Sequence, residues 1–225
     1  MLKRKENNVE LYGVVKSEPV FNHSIAGESF FIFYIDCKRT SGVIDSIPCM
    51  ISDRTVNIKE FSDLITKFYI HVTGEYRTYR KSTKIMNDDG SYKWENHTDY
   101  YVLIDTVNMY ENKNQNEYKY NNCINLIGSI VKTPNYRLTP NGREICELIL
   151  KIPRSYTKED YVCCIVWGKN AKYANTLTVG STISVTGRIQ SRDVIKTINN
   201  EEKLYEHKTV YDISVSMIQL METPE

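Results

Sequence analysis

The sequence predicts an all-β chain folded as two tandem barrels, each of five strands plus a short helix. Three observations carry this: an internal repeat of roughly 110 residues, alternating β-branched and aromatic segments between turn residues, and one helical stretch per copy. The repeat is seen by laying "NNVELYGVVKSEP" (7–19) on "NNCINLIGSIVKTP" (121–134), each with Gly six residues before Pro. "VTG" recurs at 72–74 and 185–187, and both copies end in an alternating segment, 100–110 and 210–220. A period this long is a duplicated domain and not a solenoid, whose repeats run about 20–50 residues. Boundaries are expected at 1–112 and 121–225, joined by the polar "ENKNQNEYKY" (111–120).

In the second copy strands are expected near 122–132, 143–152, 160–167, 181–191 and 207–220, with a turn at "TPNG" (139–142). Only "KNAKYANTL" (169–177) reads as helix, between the third and fourth strands, and "NIKEFSDLITKF" (57–68) takes that slot in the first copy. Five strands with a helix in that position is the order of an OB-fold barrel. A duplicated β-sandwich of another topology also fits the pattern.

Composition is that of an ordinary globular protein, with 41% hydrophobic and 25% charged residues and a net charge of +1. Tyrosine is abundant, 17 residues against 6 Phe and 2 Trp, and offers an apolar face with a polar tip. Six scattered cysteines without C-x-x-C or zinc spacing read as reduced core thiols of a cytoplasmic protein, with no metal and no cofactor. No run is long and apolar enough to suggest export or membrane insertion. No nucleophile elbow or P-loop occurs, and His23, His71, His97 and His207 lie far apart, so no catalytic residues are assigned and no enzyme is expected.

Residues 121–152 and "YVCCIVWGKNAKYANTLTVGSTISVTGRIQSR" (161–192) resemble bacterial single-stranded-DNA-binding proteins. The shared pattern is a strand ending in Gly, a Pro-Asn-Gly hairpin, aromatic–x5–aromatic–Gly-Lys, a helix, a Gly-closed strand and a basic tip. The first copy matches more faintly, through 27–54 and "GEYRTYRK", like the leading half of tandem-OB, clostridial-type relatives. The resemblance implies sequence-tolerant binding of single-stranded DNA, in replication, repair or recombination. It also implies a homo-oligomer, such as a dimer giving four OB units. Stacking aromatics fall at Tyr156, Tyr161 and Trp167, while the family's hairpin aromatic is replaced by Val194. The chain stops at "QLMETPE", and the acidic recruitment tail of replicative members is not expected.

Strand alternation supports this independently, because Tyr161, Cys163, Ile165 and Trp167 share one face. Residues 122–220 hold 13 Lys/Arg against 9 Asp/Glu, a net +4, whereas residues 1–114 hold 15 against 16, a net −1. Candidate phosphate contacts are Arg137, Arg143, Lys151, Arg154, Lys158, Lys169, Arg188 and Arg192, with Arg143, Arg154 and Arg192 foremost. Aligning Cys49 with Cys163 sets Ile47 against Tyr161 and Asp53 against Trp167, so the first copy is expected to bind weakly or serve as scaffold. Its candidates are Tyr76, Arg77, Tyr79 and Arg80 on the "VTG" hairpin, with Lys38 and Arg39 before the third strand. A competing function is a primosome-like or plasmid-associated protein adaptor with little DNA binding of its own.

Overall fold

The computed structural model describes residues 7–65, 68–86, 90–111, 122–154, 158–199 and 204–221. The N-terminal half runs β1 (Asn7–Val15), β2 (Val20–Ile25), β3 (Glu28–Lys38), β4 (Ile44–Ser52), α1 (Ile58–Ile65), β5 (Phe68–Met86) and β6 (Tyr92–Glu111). The C-terminal half repeats the plan with β7 (Asn122–Ile130), β8 (Asn135–Leu138), β9 (Glu144–Pro153), β10 (Glu159–Trp167), α2 (Lys169–Asn175), β11 (Thr182–Asn199) and β12 (Leu204–Leu220).

Pairing closes each half into a barrel. The first circuit is β1–β3–β4–β6–β5–β1, parallel only where Cys49 meets Val102. The second is β7–β9–β10–β12–β11–β7, parallel where Cys164 meets Ile213. Each helix plugs in between the third and fourth barrel strands, which makes both halves OB-folds. The short strands β2 and β8 pair outside the circuits, on the edges of β3 and β9.

The inward positions are apolar by alternation. On β10, Val162, Cys164 and Val166 are wholly buried, and Ala171 and Ala174 of α2 pack into the same core. Small alanines let a helix of under two turns sit close to the barrel. All six cysteines are unpaired.

Both "VTG" glycines sit at β-bulges, where the register shifts between Thr73 and Gly74 and between Thr186 and Gly187. A Cβ on Gly74 would collide with the Leu103 carbonyl oxygen, and one on Gly187 with that of Ser214. The motif therefore marks a bend at which two backbones come too close for any side chain. Gly74→Ala is expected to cost about 1–3 kcal/mol in urea unfolding, the usual cost of forcing atoms into packed space. A wild-type midpoint would mean that the bulge yields.

The halves join through β1 and β7, which pair antiparallel with Val9 opposite Ile124, Asn7 opposite Leu126 and Leu11 opposite Asn122. Ile124 is the counterpart of Val9 in the repeat, so the pairing has local two-fold symmetry. Six antiparallel strands, β6-β5-β1-β7-β11-β12, run across the junction. Val9, Leu11, Ile124 and Leu126 are fully buried and join the two cores.

Candidate nucleic-acid interface

The junction accounts for several charged residues. Asp160 is buried, and Arg154 Nη2 donates to its Oδ1 at 2.5 Å. The Thr78 N–H and hydroxyl donate to Asp160 from the other half at 2.7 and 2.9 Å, and Arg77 Nη1 reaches it at 3.2 Å. Burial pushes the Asp160 pKa up, but the hydrogen bonds from Arg154 and Thr78 outweigh it and hold the carboxylate below its ordinary range. The mirror site has buried Asp45 with Arg39 Nη2 at 2.5 Å and the Ser191 N–H and hydroxyl at 2.8 and 3.0 Å. Asn7 bonds both ways with the Tyr76 backbone, as Asn122 does with Ile189.

These pairs set the repeat register. Asp45 answers Asp160 and Arg39 answers Arg154, which makes Cys49 the counterpart of Cys164, not of Cys163. The one-residue slip in the sequence alignment exchanged the two faces of the strand. Trp167 is therefore matched by buried Ser52, while Asp53 lies past β4, its Oδ1 accepting from the Ser29 N–H at 3.2 Å.

The outer face of β10 differs sharply between halves. In β4, Pro48, Met50 and Ser52 are buried on the side away from the barrel core. In β10, Tyr161 is 49% exposed, and Cys163, Ile165 and Trp167 are half-buried. Cross-strand neighbours on β9 continue the face, with Lys151 opposite Tyr161, Ile149 opposite Cys163 and Glu147 opposite Ile165. The phenol of Tyr161 donates to Glu159 Oε2 at 2.9 Å, and Lys151 holds the other oxygen at 3.1 Å. Burial and nearby Asp212 push the Cys163 thiol up to about 12, so at neutral pH it is an apolar, protonated group.

The candidate cations fall into three groups. Arg137, Lys151 and Arg192 border the face but are paired, with Glu147 at 2.6 Å, Glu159 at 3.1 Å and Asp212 at 2.6 Å. Arg143, Lys158 and Lys169 are exposed and make no side-chain ion pair among the described residues. Arg188 is exposed near the junction, where burial and the like charge of Arg39 pull its pKa down. Tyr156 lies outside the described residues.

Four expectations are corrected by burial. Arg154, Arg77 and Arg39 are tied to the junction carboxylates. Tyr76 is only 1% exposed, its ring stacked 5.8 Å from Tyr100. Packing requires each buried Asp to have partners, and these side chains supply them. Tyr79, Arg80 and Lys38 are exposed. Sequence reasoning missed Asp45, Asp160, Asn7 and Asn122, although Arg-x5-Asp recurring at 39–45 and 154–160 would have exposed both locks.

The sequence profile of the Single-strand binding protein family matches residues 121–221. The match spans the C-terminal barrel. Single-stranded DNA-binding protein A of Bacillus subtilis (strain 168) is 30% identical over 108 residues, 45% of this chain and 59% of that protein. Single-stranded DNA-binding protein 2 of Listeria innocua is 37% identical over 79 residues, 32% of this chain and 50% of that protein. The chain spans about half the length of the curated relatives it matches. The crystal structure of wild-type single-stranded DNA binding protein from Thermus aquaticus superposes with a TM-score of 0.66 over 97% of this chain and 94% of that one, at 16% identity. This last likeness concerns the fold, and it extends the tandem-barrel arrangement over nearly the whole chain.

Proposed function

We propose that this protein is a non-enzymatic, sequence-tolerant single-stranded DNA-binding protein that uses the outer face of β10. The supporting observation is the half-open strip from Tyr161 to Trp167, on the segment that carries the family match. Tyr161 and Trp167 stack bases, while Cys163 and Ile165 line an apolar floor between them. Arg143, Lys158 and Lys169 take phosphates first, because they give up no ion pair to do so. Arg137, Lys151, Arg188 and Arg192 are second-rank, the ion-paired members of that group having first to exchange a carboxylate for a phosphate. The resemblance alone assigns Tyr156 to base stacking, and Tyr79, Arg80 and Lys38 offer weaker contacts on the N-terminal half. A homo-dimer presenting four barrels would lengthen the path.

The test is titration with a poly(dT) oligonucleotide, following tryptophan emission at two salt concentrations. Saturable quenching is expected, with log affinity falling against log salt at a slope near −0.7 per phosphate neutralised, so about −2 for three cations. A flat response at both salts, with a protein partner captured instead, would sink the proposal in favour of an adaptor.

A further inference from the structure

The hydrogen-bonded strand order runs from β2 at one end to β8 at the other, so these two strands carry its free edges. Among the described residues β2 pairs only with β3, and β8 only with β9. An edge strand offers a row of N–H and C=O groups to any strand that lies beside it, and charge, proline or bulges normally protect it. Beyond a bulge at Asn22, β2 has little of this protection. Its "VFNHSI" holds no Lys, Arg, Asp, Glu or Pro, and Val20, Phe21 and Ile25 are 62%, 58% and 61% exposed. The surroundings of the two edges differ in charge. Glu18 is exposed just before β2, and Glu28 stands opposite Ile25 at its far end, sharing its charge with Arg54 at 3.3 Å. Lys16 is turned to the Ser46 hydroxyl at 2.9 Å. On the other edge, Lys132 is exposed before β8, and exposed Arg143 stands at its far end, where the Thr139 N–H donates to the Arg143 carbonyl at 2.8 Å. The acids beside β8, Glu144 and Glu147, are held by Lys172 and Arg137 at 3.0 and 2.6 Å.

We infer that the β2 edge of one chain takes the β8 edge of a second copy, so that copies join head to tail. This contact needs no nucleic acid and goes beyond the proposed function. Complementary charge selects the occupant. Laying β2 on β2 of another copy sets acid against acid, and laying β8 on β8 sets cation against cation. Laying β2 on β8 sets Glu18 and Glu28 against Lys132 and Arg143, an acid meeting a cation at each end whichever way the second strand runs. Within the chain, β1 and β7 already join the two halves by pairing edge to edge. Apolar surface meets as well. Phe21 lies opposite Phe31 on the side that faces the barrel core, the two rings 5.9 Å apart, and Leu138, 60% exposed, lies on the matching side of β8 with Tyr136. With 6 residues in one edge and 4 in the other, the contact belongs to the small, transient class of interface, under about 1,200 Å². Because the two surfaces are unlike, each joined pair keeps one free edge at either end, and the contact repeats into a ring or an open row.

The experiment mixes two full-chain variants without DNA, Ser24→Cys on β2 and Asn135→Cys on β8, both at exposed sites and carrying tags of different mass. A short bis-maleimide joins chains that touch, and the products are separated by mass. The wild type, with its 6 cysteines, sets the background. The mixed dimer is expected in excess of the share that random collision gives. The excess should vanish at about 1 M salt, where charges are screened beyond ~3 Å. It should vanish also when Glu18→Lys and Glu28→Lys are added to the Ser24→Cys chain. A mixed dimer at the random share in low salt would overturn the head-to-tail contact. So would an excess of Ser24→Cys chains joined to each other, which would make β2 a self-pairing edge. An excess that survives the two charge reversals overturns it too, since charge would then not choose the occupant. None of these outcomes bears on the poly(dT) titration, so the proposed function stands or falls separately.

Discussion

Asp160→Ala is expected to destabilise the protein by about 3 kcal/mol, measured as the loss of unfolding free energy in urea. Removing one member of a buried ion pair usually costs about 3–5 kcal/mol, because its partners stay behind without a counter-charge. Here the carboxylate is fully buried, while the Arg77 and Arg154 side chains are 16% and 21% exposed. Water can reach both guanidinium groups, which argues for the lower end. The Thr78 N–H loses its acceptor as well. Asp45→Ala should cost less, because Arg39 is the one guanidinium bonded to it among the described residues and Gln190 stands where the other half has Arg77. Equal losses at the two sites would show that the second arginine adds nothing.

The same residue gives the pH dependence its sign. The folded Asp160 pKa lies below its unfolded value, which is about 3.9 for an aspartate. Its stabilisation is therefore complete above about pH 4 and is lost as pH falls through the lower, folded value. Wild type and Asp160→Asn should differ most at pH 6 and converge as acid protonates the carboxyl. A gap that widened in acid would reverse the assignment.

The barrels were legible in the sequence wherever one side of a strand faces a core. Strand β10 was expected at 160–167 and spans Glu159–Trp167, because Val162, Cys164 and Val166 alternate with the outward set. Helix α2 was bounded as well, by Gly168 and the turn after Asn175. The hairpin strands were not legible to their full length. The fourth strand was expected to stop at 191 but runs to Asn199, paired beyond Gly187 with β12 alone among the described residues, so no third strand marks where it ends. Strands β2 and β8 escaped for a related reason, being short edge additions whose residues are mostly exposed. The junction was hidden differently. A basic residue near a binding strand looks the same in sequence whether it meets phosphate or a buried aspartate, and only the pairing of β1 with β7 brings Asp160 to Thr78.

Trp167→Ala should weaken binding of a dT oligonucleotide by about 1–3 kcal/mol, and Tyr161→Ala by a similar amount, with the thermal midpoint nearly unchanged. The fold should survive because both rings lie on the outward side of β10, opposite Val162 and Val166, which fill the barrel. Six residues separate the two rings, roughly 20 Å along a strand, so each meets a different base. Sites that far apart behave independently, and the double variant should lose the sum, about 2–6 kcal/mol. Tyr161→Phe separates stacking from hydrogen bonding: it removes the bond to Glu159 but keeps the ring, and affinity should hold. Neither alanine variant carries away a charge, so the salt slope should stay put while the whole curve moves down; Arg143→Ala should instead flatten it by about 0.7. Wild-type affinity in the double variant would leave the half-open face without a role in strand binding, and the burden of contact would pass to the cations alone.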